Sequence, residues 1–210
     1  MITTKELGSL LLSLIVLSFS YAFLSRTLFL ACLISFAIIL ALTVIAKKTM
    51  AYYVEAEEET KETKLWTFQR FGFHTKSYFK APFPIGILLS FILPLITLGY
   101  IPWLAVLESD VKGTSMRAAR RHDFYSYGEM TEWHIALISS AGIIVCFILA
   151  PIAYFLNFSL LAKLSLFYAA FNLLPLGKLD GTRIFFGSKI LYALLVAIGL
   201  IGLFYAFLMP

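Results

Sequence analysis

The stretch Ala81-Pro82-Phe83-Pro84-Ile85-Gly86-Ile87-Leu88-Leu89-Ser90-Phe91-Ile92-Leu93-Pro94-Leu95-Ile96-Thr97-Leu98-Gly99-Tyr100-Ile101-Pro102-Trp103-Leu104-Ala105-Val106-Leu107 decides how this chain is arranged. It is uncharged and long enough to cross a bilayer as a helix, which needs about 20 apolar residues. Its prolines and Gly99, however, interrupt helical hydrogen bonding. If the stretch crosses once, the chain has six spans. Lys and Arg then divide almost evenly: Lys5, Lys47, Lys48, Lys61, Lys64, Arg70, Lys76, Lys80 and Lys163 on one side, the other eight on the opposite side. If it enters as a helix near Pro84 to Leu98, turns at Gly99-Tyr100-Ile101-Pro102 and returns along Trp103 to Leu107, all of these residues except Arg26 and Lys163 share one side. Cytoplasmic loops concentrate Lys and Arg, so the second arrangement is preferred. It has five spans, a re-entrant segment at about 84–107, and the N-terminus and the loops 47–83 and 108–133 in the cytoplasm. Non-helical backbone at membrane depth needs cover from protein or a water-filled cavity. A cleft on the cytoplasmic side is therefore expected.

The rest of the sequence sets the class. Hydrophobic residues make up 60% and charged residues 14%, against about 25% charged in soluble domains, which points to lipid surroundings. Further apolar runs cover Leu7–Ser25, Thr27–Ala46, Ile135–Phe158, Leu164–Leu176 and Ile190–Leu208. None alternates with period two, so the expected class is all-α integral membrane, with five to six transmembrane helices in one domain over 1–210. The first run lacks a small-x-small cleavage site and is read as a retained helix. Cys32 and Cys146 lie inside apolar runs and read as small buried hydrophobes. The net charge of +5 fits topology and anionic lipid head groups rather than nucleic acid, because no basic stripe is interleaved with aromatics. The expected partners are membrane lipids and another transmembrane protein or membrane complex, in the cell membrane. The charged stretch Glu55–Lys80 reads as a solvated face that extends the second helix and leads to an extended piece around Phe71–Tyr78. The loop Glu108–Trp133, with Arg117, Arg120 and Arg121, reads as lying near anionic lipid.

The sharpest local signal is Phe171-Asn172-Leu173-Leu174-Pro175-Leu176-Gly177-Lys178-Leu179-Asp180-Gly181. Asn and Pro break an apolar helix here, and Leu-Asp-Gly sets a carboxylate at the membrane boundary. The stretch resembles the N-x-x-P-x-x-x-L-D-G motif of the site-2 protease family of intramembrane zinc metalloproteases, in which the Asp is a zinc ligand. The resemblance implies roles for Asp180 and for the shaping residues Asn172, Pro175 and Gly181. It also implies an H-E-x-x-H sequence late in an earlier span, where two His at i and i+4 bind zinc and the Glu acts as base. Aligned on that pattern, Leu40 to Ala51 places Thr43 and Lys47 where the histidines belong and Val44 where the Glu belongs. Ser140-Ala141-Gly142 falls where relatives carry Gly-Pro-x-x-Asn, without the Pro and Asn. Pro102 to Val106 falls at the family's extended re-entrant segment. Lys5-Glu6-Leu7-Gly8-Ser9 is similar to a His-Glu motif, but it precedes a span instead of ending one and is read as chance.

These substitutions shape the functional expectation. Thr43, Val44, Lys47 and Asp180 are vestigial motif positions with no catalytic residue among them, no metal and no cofactor, and a Lys47–Asp180 ion pair takes the place of zinc between two helices. The expected function is a pseudoprotease that holds a transmembrane partner or serves in a membrane complex. One alternative is an active metalloprotease with a rearranged zinc site. Of the three histidines, His74, His122 and His134, the last joins Asp180 and Glu132 as outside metal candidates, though interfacial anchoring beside Trp133 is the simpler expectation. Another alternative is a small transporter or channel accessory subunit, for which Lys163 is the main intramembrane charge. Snorkelling to the interface accounts for Lys163 more simply.

Overall fold

The protein is described by a computed structural model over residues 4–23, 26–54, 63–70, 78–109 and 131–208. His74, His122, most of the extended piece expected around Phe71–Tyr78, and the arginines 117, 120 and 121 lie outside the described residues.

Helices form the framework: α1 (Thr4–Tyr21), α2 (Arg26–Tyr53), α3 (Ile85–Ile96), α4 (Glu132–Phe155), α5 (Ser159–Asn172), α6 (Asp180–Gly187) and α7 (Lys189–Leu208). Three of them, α2, α4 and α7, are long and apolar enough to cross a membrane. At 1.5 Å per residue, the 28 residues of α2 extend beyond a hydrocarbon core of about 30 Å. The helix therefore continues past Ala46 and carries Lys47 and Lys48 on its last turns.

Local sequence sets the breaks between helices. Asn157, which adopts left-handed backbone at φ 62°, separates α4 from α5, and Asn is among the few side chains that tolerate this region. Ser188 is extended between α6 and α7, and its Oγ accepts the Leu191 N–H at 3.3 Å, capping α7. Pro175 follows the end of α5, where a helix cannot readily continue.

Contacts fix the helix directions. Lys48 near the end of α2 bonds Glu6 near the start of α1, so these helices run antiparallel. The C-terminal Gly187 of α6 packs on Glu132 and Ala136 at the start of α4. Gly199 of α7 faces Phe147, so α7 runs parallel to α4, with α5 returning between them.

The 81–107 run doubles back. The twelve residues of α3 reach about 18 Å, short of a full crossing. Leu98 and Gly99 turn the chain at φ 51° and 83°, and Gly99 N–H donates to Pro94 O at 2.7 Å. Ser90 Oγ then donates to Trp103 O at 3.0 Å, and Trp103 N–H donates to Ser20 Oγ of α1 at 3.0 Å. Further along, Val106 O accepts the Trp66 N–H at 2.7 Å, and Trp66 O accepts the Gly86 N–H at 3.2 Å. The chain thus passes Ser90 and then Gly86, back along α3 toward its start. A Cβ at Gly86 would sit 2.9 Å from Val106 O, so the close approach requires glycine.

The all-α class holds, and among the described residues four short strands accompany the helices: β1 (Thr63–Leu65), β2 (Phe68–Arg70), β3 (Tyr78–Phe83) and β4 (Leu107–Ser109). β1 pairs antiparallel with β4, Lys64 opposite Glu108, and β2 pairs with β3. They satisfy backbone groups where the chain leaves α2 and where it leaves the doubled-back segment. Beneath them Trp66 and Trp103 stack at 6.2 Å, and Phe171 meets Trp103 edge to face.

Candidate functional site

α2, α4, α5 and the turn into α6 meet around one ion pair. Lys47 Nζ on α2 donates to Asp180 Oδ2 on α6 at 2.5 Å. The Asp180 side chain is 4% exposed and the Lys47 side chain 14%, so both charges lie largely inside protein. An isolated charge at the centre of a membrane helix costs about 2.5 to 3.5 kcal/mol on insertion scales, and pairing offsets that cost. Asp180 also stands in the first turn of α6, where the helix dipole favours a carboxylate.

The turn that delivers Asp180 depends on its neighbours. Asn172 Nδ2 donates to Tyr168 O at 2.9 Å and closes the end of α5. Gly177 takes φ 56°, with the Trp66 indole against its α-carbon. Gly181 is the tightest position, since a Cβ there would lie 2.1 Å from Leu173 O and 2.8 Å from Leu174 O. The Leu-Asp-Gly sequence thus folds back on the carbonyls at the end of α5, and only glycine fits after the Asp. Gly142 of α4 performs a similar service for Lys47, because a Cβ at 142 would lie 2.6 Å from Lys47 Cε.

The residue chemistry does not suit zinc. Thr43 is buried and its Oγ1 donates to Leu40 O at 3.0 Å. Val44 is apolar and buried. Lys47 brings an ammonium with no acceptor lone pair. Asp180 is left as the single carboxylate, where zinc sites use three or four N, O or S ligands. Among the described residues no group of three His, Cys, Asp or Glu side chains converges on a point. The alternative grouping of His134, Glu132 and Asp180 is not formed. Asp180 opens α6 beside Lys47, whereas Glu132 meets Gly187 at the other end of that helix, about 10 Å away by helical rise. His134 Nδ1 instead faces Thr131 Oγ1.

A second buried pair was not anticipated. Glu6, whose side chain is 1% exposed, accepts from Lys48 Nζ at 2.6 Å, and its Oε1 accepts the Thr63 N–H at 3.4 Å. Together Lys47 and Lys48 tie α2 to both sides: Lys47 to α6, and Lys48 to α1 and β1. The sequence signal was a carboxylate at the start of an apolar run facing two consecutive lysines across a hairpin. Asp180 Oδ1, Ser139 Oγ and Thr182 Oγ1 are buried without a hydrogen-bond partner among the described residues.

No protein-family model, curated protein or solved structure matches this chain.

Proposed function

We propose that this chain is a non-catalytic, site-2-protease-like protein of the cell membrane that holds a transmembrane partner or serves as a subunit of a membrane complex. The Lys47–Asp180 pair carries this reading. It cross-links two helices at the point where the sequence resemblance puts a metal, using an ammonium that cannot ligate one. With Val44 in place of a carboxylate base, water has neither a metal nor a proton acceptor to activate it.

Helix directions support the five-span arrangement. α1, α4 and α7 run one way, α2 and α5 run the other, and the chain after α3 runs back along that helix. The distribution of Lys and Arg then assigns the N-terminus, the ion pair and the two long loops to the cytoplasm. What the protein retains in this reading is a helix assembly held by a buried ion pair, with apolar outer faces available to a partner span.

Elemental analysis of the detergent-purified protein, beside Asp180→Ala, tests this. Zinc far below one per chain in both proteins is expected. Zinc near one per chain that falls in the variant would overturn the proposal.

A further inference from the structure

The turn that joins α5 to α6 leaves hydrogen-bond donors unused. Leu176 N–H donates to Leu174 O at 2.8 Å and Leu179 N–H to Leu176 O at 3.1 Å, whereas among the described residues no carbonyl takes the N–H of Gly177 or of Lys178. Trp66 adds a third donor. It is 4% exposed, and its indole Nε1 has no partner among the described residues. That nitrogen lies 3.2 Å from where a Cβ at Gly177 would stand, nearer than any other atom. Folded proteins leave few buried donors unpaired, so an orphan N–H facing a turn with two further unused N–H groups marks a place for an acceptor.

Backbone and charge both favour an anion there. Gly177 is left-handed at φ 56°, and successive N–H groups around such a residue form a concavity that binds anions. Lys178 is exposed beside them and supplies a positive charge, while the carboxylate two residues on, Asp180, is compensated by Lys47. A neutral carbonyl would satisfy one of these donors. A phosphate group offers several acceptor oxygens at once, and lysine serves it as a point charge. Leu173, just before the turn, lies against Gly199, and α7 begins at Lys189, so by helical rise the turn stands about 15 Å along α7 from that end. Leu174 to Lys178 are nevertheless exposed. Open backbone and a charge at that depth are tolerated where polar contact reaches them. The turn is thus open to an ion from water and to a lipid head group, with Leu174 and Leu176 at hand for acyl chains.

We infer that the Gly177–Lys178 turn, with the Trp66 indole, is a binding site for a phosphate group, carried by an anionic phospholipid or free in solution. The unused donors stand whether or not the chain is a relative of a protease.

Two titrations of the delipidated, detergent-purified protein test the site: inorganic phosphate followed by isothermal calorimetry, and palmitoyl-oleoyl phosphatidic acid followed by native mass spectrometry. A saturable site is expected in at least one of them. Saturation by phosphatidic acid alone assigns it to a lipid head group, by inorganic phosphate alone to a soluble anion, and by both to phosphate as such. Lys178→Met is expected to weaken the binding about tenfold, and Trp66→Phe, which removes the N–H and keeps a ring, about threefold. Lys189→Met, an exposed lysine at the start of α7, leaves it unchanged. If Trp66→Phe does not fold, Lys178→Met decides. No saturable site with either probe, a site that Lys178→Met leaves intact, or one that Lys189→Met weakens equally would each overturn the assignment.

Discussion

Gly142 and Lys47 are matched in shape: the bare α-carbon on α4 lies against the alkyl stem of the lysine on α2 and leaves room for its ammonium to reach Asp180. A methyl at 142 would lie 2.6 Å from Lys47 Cε, so the lysine or the helix must move. Gly142→Ala is predicted to lower stability by about 1 to 3 kcal/mol, the usual cost of overpacking. In a Lys47→Ala background the same change costs little, giving a coupling of about 0.5 to 3 kcal/mol. Thermal unfolding of the four detergent-purified proteins measures both.

Two other glycines separate backbone need from helix propensity. A Cβ at Gly181 meets two main-chain carbonyls, at 2.1 and 2.8 Å, and neither can swing aside as a side chain would. Gly181→Ala is predicted to abolish monodisperse protein on size-exclusion chromatography. Gly8 has nothing within 4 Å of its Cβ position, so Gly8→Ala is predicted to be neutral or to stabilise by up to about 1 kcal/mol.

The Glu6–Lys48 pair is asymmetric: the carboxylate side chain is 1% exposed and the lysine 24%. Lys48→Ala removes the counter-charge from a buried carboxylate that keeps the Thr63 N–H, with a predicted loss of about 3 to 5 kcal/mol. Glu6→Ala leaves an ammonium that can extend to water and costs less. Equal losses by chemical denaturation would show that packing, rather than charge burial, dominates at this site.

Doubling back of the 84–107 segment makes a prediction about sidedness. In a chain with Cys32 and Cys146 replaced by alanine, single cysteines at the exposed positions Lys64 and Glu132 are predicted to react from the same face of sealed vesicles. Labelling from opposite faces would mean that the segment crosses.

The apolar runs showed where most helices lie because hydropathy acts over whole turns. The proline and glycine spacing of 81–107, joined to the distribution of positive charge, places a turn at Gly99 to Pro102; the structure reverses direction one residue earlier, starting at Leu98 and Gly99. Lys47 and Asp180 were legible as a pair because the charge distribution set them at one membrane face and the resemblance of 40–51 and 171–181 to the two halves of a metal site set their positions side by side. What stayed hidden depends on contacts remote in sequence. The strands at 63–65 and 107–109 are too short to show a period and exist only because they pair with each other. In sequence Glu6 reads only as part of a chance likeness to a His-Glu motif, and it is the hairpin that brings it to Lys48. Gly142 reads as the remnant of a motif that lacks its Pro and Asn, with no sign that it packs on Lys47. The grouping of His134 with Asp180 failed because a shared membrane face does not specify lateral distance, and α6 separates the two.

The central claim is that an ion pair, not a metal, joins α2 to α6. Unfolding free energies of Lys47→Asp, Asp180→Lys and the double reversal, measured in one detergent, test it most directly. The account predicts that each single reversal loses about 3 to 5 kcal/mol by placing like charges together, and that the double reversal regains at least half of that loss. Single reversals with little effect, or a double reversal no more stable than the sum of the two singles, would contradict it.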